Sequence, residues 1–566
     1  MKRKFLYTVL LLAGLFVCGC RKDVNVTDND PQTVVSDTAK ADKIDKKDKD
    51  QKDKSDAAVS NGTDSTGDTE GSSITDSGSS SSTVVSGPCK THKDADNNGR
   101  CDTCGENVLV SIDFYAINDL HGKFDDAAGQ PGVDELTTFF KERFLVDENP
   151  ILLSSGDMWQ GSPESNATRG KVVIEWMKEL GFASMTLGNH EFDWGEEQLS
   201  DNAKKAEFPF LAINVMDVDT RERVSYADSS VLIDLGDIQV GIIGAVGDCY
   251  SSIAADWSDG FYILTGDELT QLVKEESLKL RGEGADFIVY SIHDGYSDSF
   301  SDTKVMPDSR LRSYYDTALS KEYVDLVFEG HTHQQYVIMD SKGVYHLQDG
   351  GENDAISHVS VTVNEANYKK DIEVTEVIQS YEYAKKSSDP LRDEILDKYS
   401  KDVAFTREVV GKVDTYMGRD ELRQQVAELY YKRGKKIWGD DYDIVLGGGF
   451  LSARDPGHLE PGEVTYGMLY SIFPFDNYLV LCSCSGYDLR RVFFETTNSN
   501  YFIGYGSYGE EVRKSIDLNA TYYVVVDTYS STYEPNNLTE IERYNKEVFA
   551  RDLFADYLKK KAKSGK

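Results

Sequence analysis

From Asn107 onward, apolar runs of strand length alternate with segments of helical period. "VLVSIDFYAI" (108–117), "PILLSS" (150–155), "ASMTLG" (183–188), "VGIIGAV" (240–246), "DFIVYSI" (286–292) and "VDLVFEG" (324–330) predict buried strands. Short continuous apolar runs bounded by turn residues suit sheets covered on both faces. Between them, "KVVIEWMKELG" places Val172, Val173, Trp176, Met177 and Leu180 on one helical face. Alternation of this kind predicts an α/β core with helices covering the sheets.

Upstream the pattern vanishes. Residues 21–88 are Asp, Lys, Ser, Thr, Gly and little else, too few apolar groups to offset chain entropy, which predicts a solvated tether. Residues 1–20 are different again. Met1-Lys-Arg-Lys4 is a basic start and Phe5 to Val17 an apolar run too short to span a bilayer, so the segment reads as an export signal. It ends in "VCGC", which resembles a bacterial lipobox with Cys20 as the lipidated residue; a plain secretory signal is the alternative. The expected location is therefore the exterior surface of a bacterium, most simply a Gram-positive one, with the membrane touched only through the N-terminal lipid.

At 566 residues the chain exceeds one compact core, so two or more domains are expected. The formal net charge of −37 leaves no basic footprint for duplex nucleic acid or an anionic membrane. A small anionic substrate stays open, provided bound cations reverse the field locally. Cys249, Cys482 and Cys484 are scattered in apolar surroundings, and no disulfide framework is evident. "CKTHKDADNNGRCDTCG" (89–105) instead gives C-x2-H-x8-C-x2-C, so Cys89, His92, Cys101 and Cys104 are a four-ligand set suited to tetrahedral structural zinc. Asp94, Asp96, Asn98 and Gly99 imitate the start of a calcium loop, but Gly105 stands where its closing Glu belongs. Calcium and an unmetallated linker are the alternatives.

The residues just after each predicted strand carry the chemistry. The first strand leads into "NDLHG" with Asp119 and His121, the second into "GDMWQGS" with Asp157, the third into "GNHEFDWG" with Asn189 and His190. Later strands deliver "HDG" with His293 and "GHTHQ" with His331 and His333. In α/β folds the carboxyl ends of strands are where ligand sites form. Asp and His donors suit borderline divalent metals such as zinc or manganese, and Asp119, His121, Asp157, Asn189, His293, His331 and His333 together exceed one tetrahedral shell. They would fill two shells if one carboxylate bridged, and two ions roughly 3.5–4 Å apart can clamp a phosphate and activate a hydroxide at neutral pH. Asn189 would be a neutral ligand. His190 would face the substrate, stabilising charge on phosphorus or protonating the leaving oxygen, with Asp193 orienting its ring.

"NDLHG", "GDMWQGSPESN", "GNHEFDWG", "HDG" and "GHTHQ", in this order, resemble the calcineurin-like metallophosphoesterases, and within them the 5′-nucleotidase/UDP-sugar hydrolase/2′,3′-cyclic phosphodiesterase family. The resemblance implies a four-layer sandwich of two mixed sheets flanked by helices over 107–365, a linker over 366–400, and a smaller α+β substrate-binding domain over 401–560. It implies one metal on Asp119, His121, Asp157 and His333, a second on Asp157, Asn189, His293 and His331, and a catalytic pair in His190 and Asp193. In the second half, "DIVLGGGFLSAR" and "GEVTYGMLYSIFPFDN" resemble the family's nucleoside-binding domain, with Phe475 and Tyr529 as base-stacking rings and Asn477 as a nearby polar contact. Leu451 replaces the arginine usual behind the Gly-rich turn, Arg454 follows three residues later, and a Gly-Gly-Asp-Gly stretch is missing. Arg419 and Arg423 are further candidates for positive charge, although the start of a surface helix accounts for them equally well. The expected activity is hydrolysis of nucleoside phosphates. A 2′,3′-cyclic-nucleotide 2′-phosphodiesterase, a broad phosphatase, or a surface binding protein on a degenerate scaffold are the alternatives.

Overall fold

The alternation of buried faces along single strands builds the architecture. In β1 (Leu109–Ile117), Ile112, Phe114 and Ala116 join one core while Tyr115 and Ile117 join another. β2 (Pro150–Ser154) repeats this, with Ile151 and Leu153 on one side and Leu152 on the other. Successive strand residues point to opposite faces, so a strand apolar throughout must be covered twice. The computed structural model describes residues 89, 91–124, 131–253, 255–296, 319–451, 453–454, 456–495, 503–506, 515–533, 536–546 and 548–564. The expected signal, Cys20 and the expected tether lie outside the described residues.

The first sheet also takes in β3 (Ser184–Thr186) and β4 (Phe210–Leu211), and runs β14-β13-β1-β2-β3-β4, with β13 (Ala355–Asn364) and β14 (Lys369–Gln379) antiparallel at one edge. β5 (Val215–Asp217) and β8 (Phe261–Ile263) make a separate two-stranded ribbon. The second sheet uses β6 (Ser230–Asp234), β7 (Gln239–Val246), β9 (Phe287–His293), β10 (Leu326–Phe328), β11 (Gln335–Met339) and β12 (Tyr345–Asp349), in the order β11-β12-β10-β9-β7-β6. The first sheet is parallel from β1 to β4 and antiparallel only on the β13–β14 side, whereas the second is parallel at its centre and antiparallel at both edges.

One core, with Phe114, Leu153, Ile242, Val289 and Phe328, lies between the sheets. The outer face of the first sheet packs on α1 (Val133–Arg143), α3 (Lys171–Leu180) and α4 (Gly195–Ala206), with α2 (Pro163–Thr168) preceding α3. The outer face of the second sheet packs on α5 (Gly266–Glu283) through Leu269, Val273 and Leu280. All five residues expected on one face of α3 are buried. Four layers result, as the resemblance implied.

The linker expected over 366–400 is instead built into this domain. β14 is the edge strand of the first sheet, and Ile378, Tyr383 and Ile395 join its outer core. The charged alternation of "KKDIEVTEVIQ" masks the strand because an edge leaves many of its side chains in water.

Beyond residue 400, β15 (Val409–Val413) pairs with β17 (Gly462–Thr465). β16 (Ile444–Gly449), β18 (Leu479–Ser485), β19 (Ile503–Gly506), β20 (Thr521–Asp527) and β21 (Thr539–Arg543) form a five-stranded sheet in the order β19-β16-β20-β18-β21. The helix Arg419–Trp438 covers it with Leu422, Val426, Ala427 and Tyr430. Polar ties join this part to the first domain. Asn166 Nδ2 donates to the carbonyl of Pro474 at 3.1 Å, and Asp256 receives both the Tyr478 hydroxyl and the Arg543 guanidinium.

Candidate active site

Strand ends deliver the donors. Asp119 and His121 follow β1, Asp157 follows β2, Asn189 follows β3, His293 ends β9, and His331 and His333 follow β10. The donor atoms form three groups, each within 4.8 Å: Asp119, His121 and His333; Asp157, His293 and His331; and His121, Asp157 and His190. Asp157 thus stands between the two outer groups, where a bridging carboxylate would. Asn189 Oδ1 lies 3.3 Å from His293 Nε2, so all seven expected ligands meet in one place.

The residues fit divalent cations. Asp119 Oδ2 accepts from Asn118 Nδ2 at 2.6 Å and from the His331 N–H at 2.8 Å, whereas its buried Oδ1 has no hydrogen-bond partner. That oxygen lies 3.1 Å from His333 Nε2, and His333 Nε2 lies 3.2 Å from His121 Nε2. The opposite ring nitrogens are held by protein carbonyls: His121 Nδ1 is 2.7 Å from the Gln160 carbonyl, and His293 Nδ1 is 2.7 Å from that of Ser155. This is the outer support that metal-binding imidazoles receive, with Nε2 left for the ion. A buried acceptor without a donor costs about 1–3 kcal/mol, which a bound cation offsets.

The charges are strongly interdependent. Burial opposes charging of His293, but Asp157 at 3.1 Å raises its pKa to about 10. His331 falls to about 4, through burial and then the neighbouring His293. Burial would push Asp119 and Asp157 up, and the imidazoles around them reverse this to hold both well below the usual carboxylate range.

The backbone at this site is unusual. Asp119, His121, Asp157, His331 and His333 all have positive φ, between 48° and 71°. For residues other than glycine such conformations cost about 1–3 kcal/mol each and persist where surrounding structure overdetermines them. Two glycines let the loops meet: a Cβ on Gly188 would lie 2.3 Å from Asp157 Oδ1, and one on Gly156, at φ +96°, 2.7 Å from His293 Nδ1.

His190 is set apart from the outer ligand groups. Its N–H donates to Asp157 Oδ1 at 2.8 Å, its carbonyl accepts from Trp159 Nε1 at 3.1 Å, and its Nδ1 lies 2.7 Å from Asp193 Oδ2. Burial opposes the charged ring, while Asp193 and Asp157 raise its pKa to about 8. The ring stands 5.3 Å from that of His121 and 5.6 Å from that of Phe475.

Glu191, which sequence reasoning did not single out, is almost fully buried. It accepts the N–H groups of Asp157 and Met158, both at 2.9 Å, and of Gly188 at 2.7 Å. Burial and then Asp157 raise its pKa to about 7. A carboxylate beside His190 reads as chemistry; its structural use emerges only when the second and third loops are seen together. Arg551 was equally silent. It is buried beneath the Phe475 turn, donating to the Phe475 carbonyl at 2.9 Å and pairing with Asp476.

A cavity of about 670 Å³ runs from the donors to the C-terminal domain, lined by Asp157, His190, Arg454, Phe475, Asn477 and Tyr529 among others. The Arg454 guanidinium lies 5.4 Å over the Phe475 ring. Asn477 Oδ1 accepts from the Thr528 hydroxyl at 3.0 Å. Tyr529 packs 5.5 Å from Phe450, a ring not anticipated. Neither Arg419 nor Arg423 lines this cavity. Arg423 is buried and donates to the carbonyls of Phe450 and Leu451, both at 3.1 Å, so its charge holds the Gly-rich turn rather than facing solvent.

A fold of two mixed sheets with Asp, Asn and His donors at converging strand ends defines a metallophosphoesterase. Residues 112–335 match the family model described as calcineurin-like phosphoesterase. That match gives this chain a calcineurin-like phosphoesterase domain. It is 26% identical over 432 residues to a 5′-nucleotidase of Vibrio vulnificus, covering 65% of this chain and 72% of that protein. It is also 26% identical over 483 residues to endonuclease YhcR of Bacillus subtilis, covering 76% of this chain but only 38% of that longer protein. The solved 5′-nucleotidase precursor of Thermus thermophilus shares the fold, with a TM-score of 0.61 at 20% identity over 80% of this chain and 97% of that one.

Proposed function

We propose that this protein is an exported, surface-anchored phosphoesterase that hydrolyses nucleoside phosphates with two divalent ions, zinc or manganese. The observation that carries the reading is the shared cavity: His190 lies between the donor cluster and the Phe475 ring. One end suits a phosphoryl group and the other a flat, apolar base. Ions held by Asp119, His121, Asp157 and His333, and by Asp157, Asn189, His293 and His331, would neutralise phosphoryl charge and lower the pKa of an attacking water. The protein's own residues do the rest. Asp193 fixes the His190 tautomer through Nδ1, which leaves Nε2 to stabilise charge on phosphorus or to protonate the leaving oxygen. Arg454 adds a positive charge beside Phe475, and Phe475 and Tyr529 supply stacking surfaces, with Asn477 as the polar contact. The retained donor set argues against a degenerate binding scaffold.

A second cavity of about 470 Å³ shares His121, Gln160 and Arg454 with the first and leads away from Phe475 past Lys123 and Arg407. Room on both sides of the donors favours phosphodiesters, including 2′,3′-cyclic nucleotides, as a second substrate class. The test is phosphate or nucleoside release from 5′-mononucleotides, 2′,3′-cyclic nucleotides, UDP-sugars and single-stranded oligonucleotides, with zinc, manganese or calcium added. Turnover highest on 5′-mononucleotides supports the first reading; turnover confined to diesters supports the second; no turnover with any ion overturns both. Among the described residues no helix is long and apolar enough to cross a membrane. Anchoring through Cys20 is tested by Cys20→Ser, which should release the protein from membranes or abolish its processing.

A further inference from the structure

A second constellation of ligand side chains lies away from the catalytic cavity. Cys89, His92, Cys101 and Cys104 bring one donor atom each within 4.8 Å of one another. The spacings are informative. Cys89 Sγ and Cys101 Sγ are 3.9 Å apart, and Cys104 Sγ and His92 Nδ1 are 3.6 Å apart. Zinc bound tetrahedrally at about 2.3 Å from sulfur and about 2.0–2.1 Å from nitrogen sets sulfur–sulfur edges of about 3.8 Å and sulfur–nitrogen edges of about 3.6 Å. A disulfide would require sulfurs about 2.05 Å apart, and all three cysteines are free thiols.

The surroundings agree with a metal site. His92 turns Nε2 toward two carboxylates, Glu365 at 3.6 Å and Glu106 at 3.8 Å, the outer support that a ligating imidazole receives. A tight loop carries the second cysteine pair: the Gly105 N–H donates to the Cys101 carbonyl at 2.8 Å and the Cys101 N–H to the Glu106 carbonyl at 2.9 Å.

Asp94, Asp96 and Asp102 also bring carboxylate oxygens within 4.8 Å of one another, but Asp94 is taken up by hydrogen bonds. Asp94 is buried, and its oxygens accept from the N–H groups of Asn98 (3.0 Å) and Gly99 (2.9 Å) and from Asn364 Nδ2 (2.7 Å). Asn367 Nδ2 adds bonds to the Asp94 carbonyl at 3.3 Å and to Asn97 Oδ1 at 2.8 Å. Asn364 ends β13, and Glu365 and Asn367 lie in the turn that leads to β14, at the edge of the first sheet.

We propose that Cys89, His92, Cys101 and Cys104 form a closed, non-catalytic site for one zinc ion, which holds residues 91–106 in the shape that docks on the β13–β14 turn. All four positions are filled by protein, so no vertex is open to a substrate, and the binding energy goes into local folding.

The test uses the full chain, purified under reducing conditions. Elemental analysis should find one more zinc per chain than in the Cys101→Ser/Cys104→Ser double variant, whose turnover per folded molecule should stay within a few-fold. Because the catalytic donors contain no thiolate, replacing the metals by cobalt should produce thiolate-to-cobalt absorption from this site alone. That spectrum is read on the unaltered protein, so it decides the matter even if the double variant fails to fold. Hydrogen exchange at residues 364–369 should quicken when a chelator removes the ion. A cobalt protein without thiolate absorption overturns the proposal. So does a disulfide among Cys89, Cys101 and Cys104 in the isolated protein, or calcium as the metal lost with Asp94→Ala.

Discussion

The Glu191 carboxylate accepts the backbone N–H of Asp157 at 2.9 Å, so the loop carrying His190 holds the residue that stands between the two donor groups. With the N–H groups of Met158 and Gly188 bound to the same side chain, it fastens the loops after β2 and β3 together.

Glu191→Gln should therefore weaken metal binding without touching a metal. The amide keeps one acceptor oxygen and turns N–H toward donors that lose their partner, costing about 1–3 kcal/mol of stability. Loss of such outer support lowers metal affinity by about 10–100-fold. Urea denaturation and competition with a calibrated chelator measure the two effects. Unchanged values for both would remove the role assigned to Glu191.

Asp157 and His190 should separate cleanly. Asp157→Asn is expected to lose metal and activity together, because its donors reach His293 and His331 on one side and His121 on the other. His190→Asn should keep both metals and substrate affinity while turnover falls by about 10²–10⁴-fold. Asp193→Ala should fall less, since it acts through the ring. Metal content measured beside steady-state rates decides this; a His190→Asn protein that loses a metal would make the histidine a ligand instead.

Phe475→Ala should raise KM for nucleotides and leave KM for a small phosphate ester such as phenyl phosphate nearly unchanged. Base–aromatic stacking contributes about 1–3 kcal/mol, so a rise of about tenfold is expected. Equal losses on both substrates would show that the ring supports His190, 5.6 Å away, rather than a base.

Asp256 ties the two domains and predicts a pH effect. Burial would raise its carboxyl, but the Tyr478 hydroxyl and the Arg543 charge hold it below its ordinary value of 3.8. A depressed carboxyl stabilises the fold above its unfolded pKa, and that contribution is lost as the pH falls through the lower folded value. Asp256→Asn should therefore be less stable than the parent at neutral pH, with the gap closing in acid. Denaturation midpoints across that range test it; a gap independent of pH would contradict the ion pair.

The local sequence by itself determined which residues could be strands and which could be ligands. Continuous apolar runs such as "DFIVYSI" must be covered on both faces, and Asp or His directly after such a run has few roles other than a site. The nine side chains that the structure brings together here, from Asp119 to His333 and including His190 and Asp193, were therefore legible as a cluster from the chain alone. Tertiary structure decided the rest, because those properties belong to pairs of distant segments. The charged pattern of 369–379 conceals an edge strand whose partner, β13, supplies the apolar environment. Arg423 looks like a solvent-facing charge until the turn at Phe450 and Leu451 offers it two carbonyls. The left-handed backbone at Asp119, His121, Asp157, His331 and His333 leaves no local signature, since it is enforced by loops from two sheets meeting around the donors.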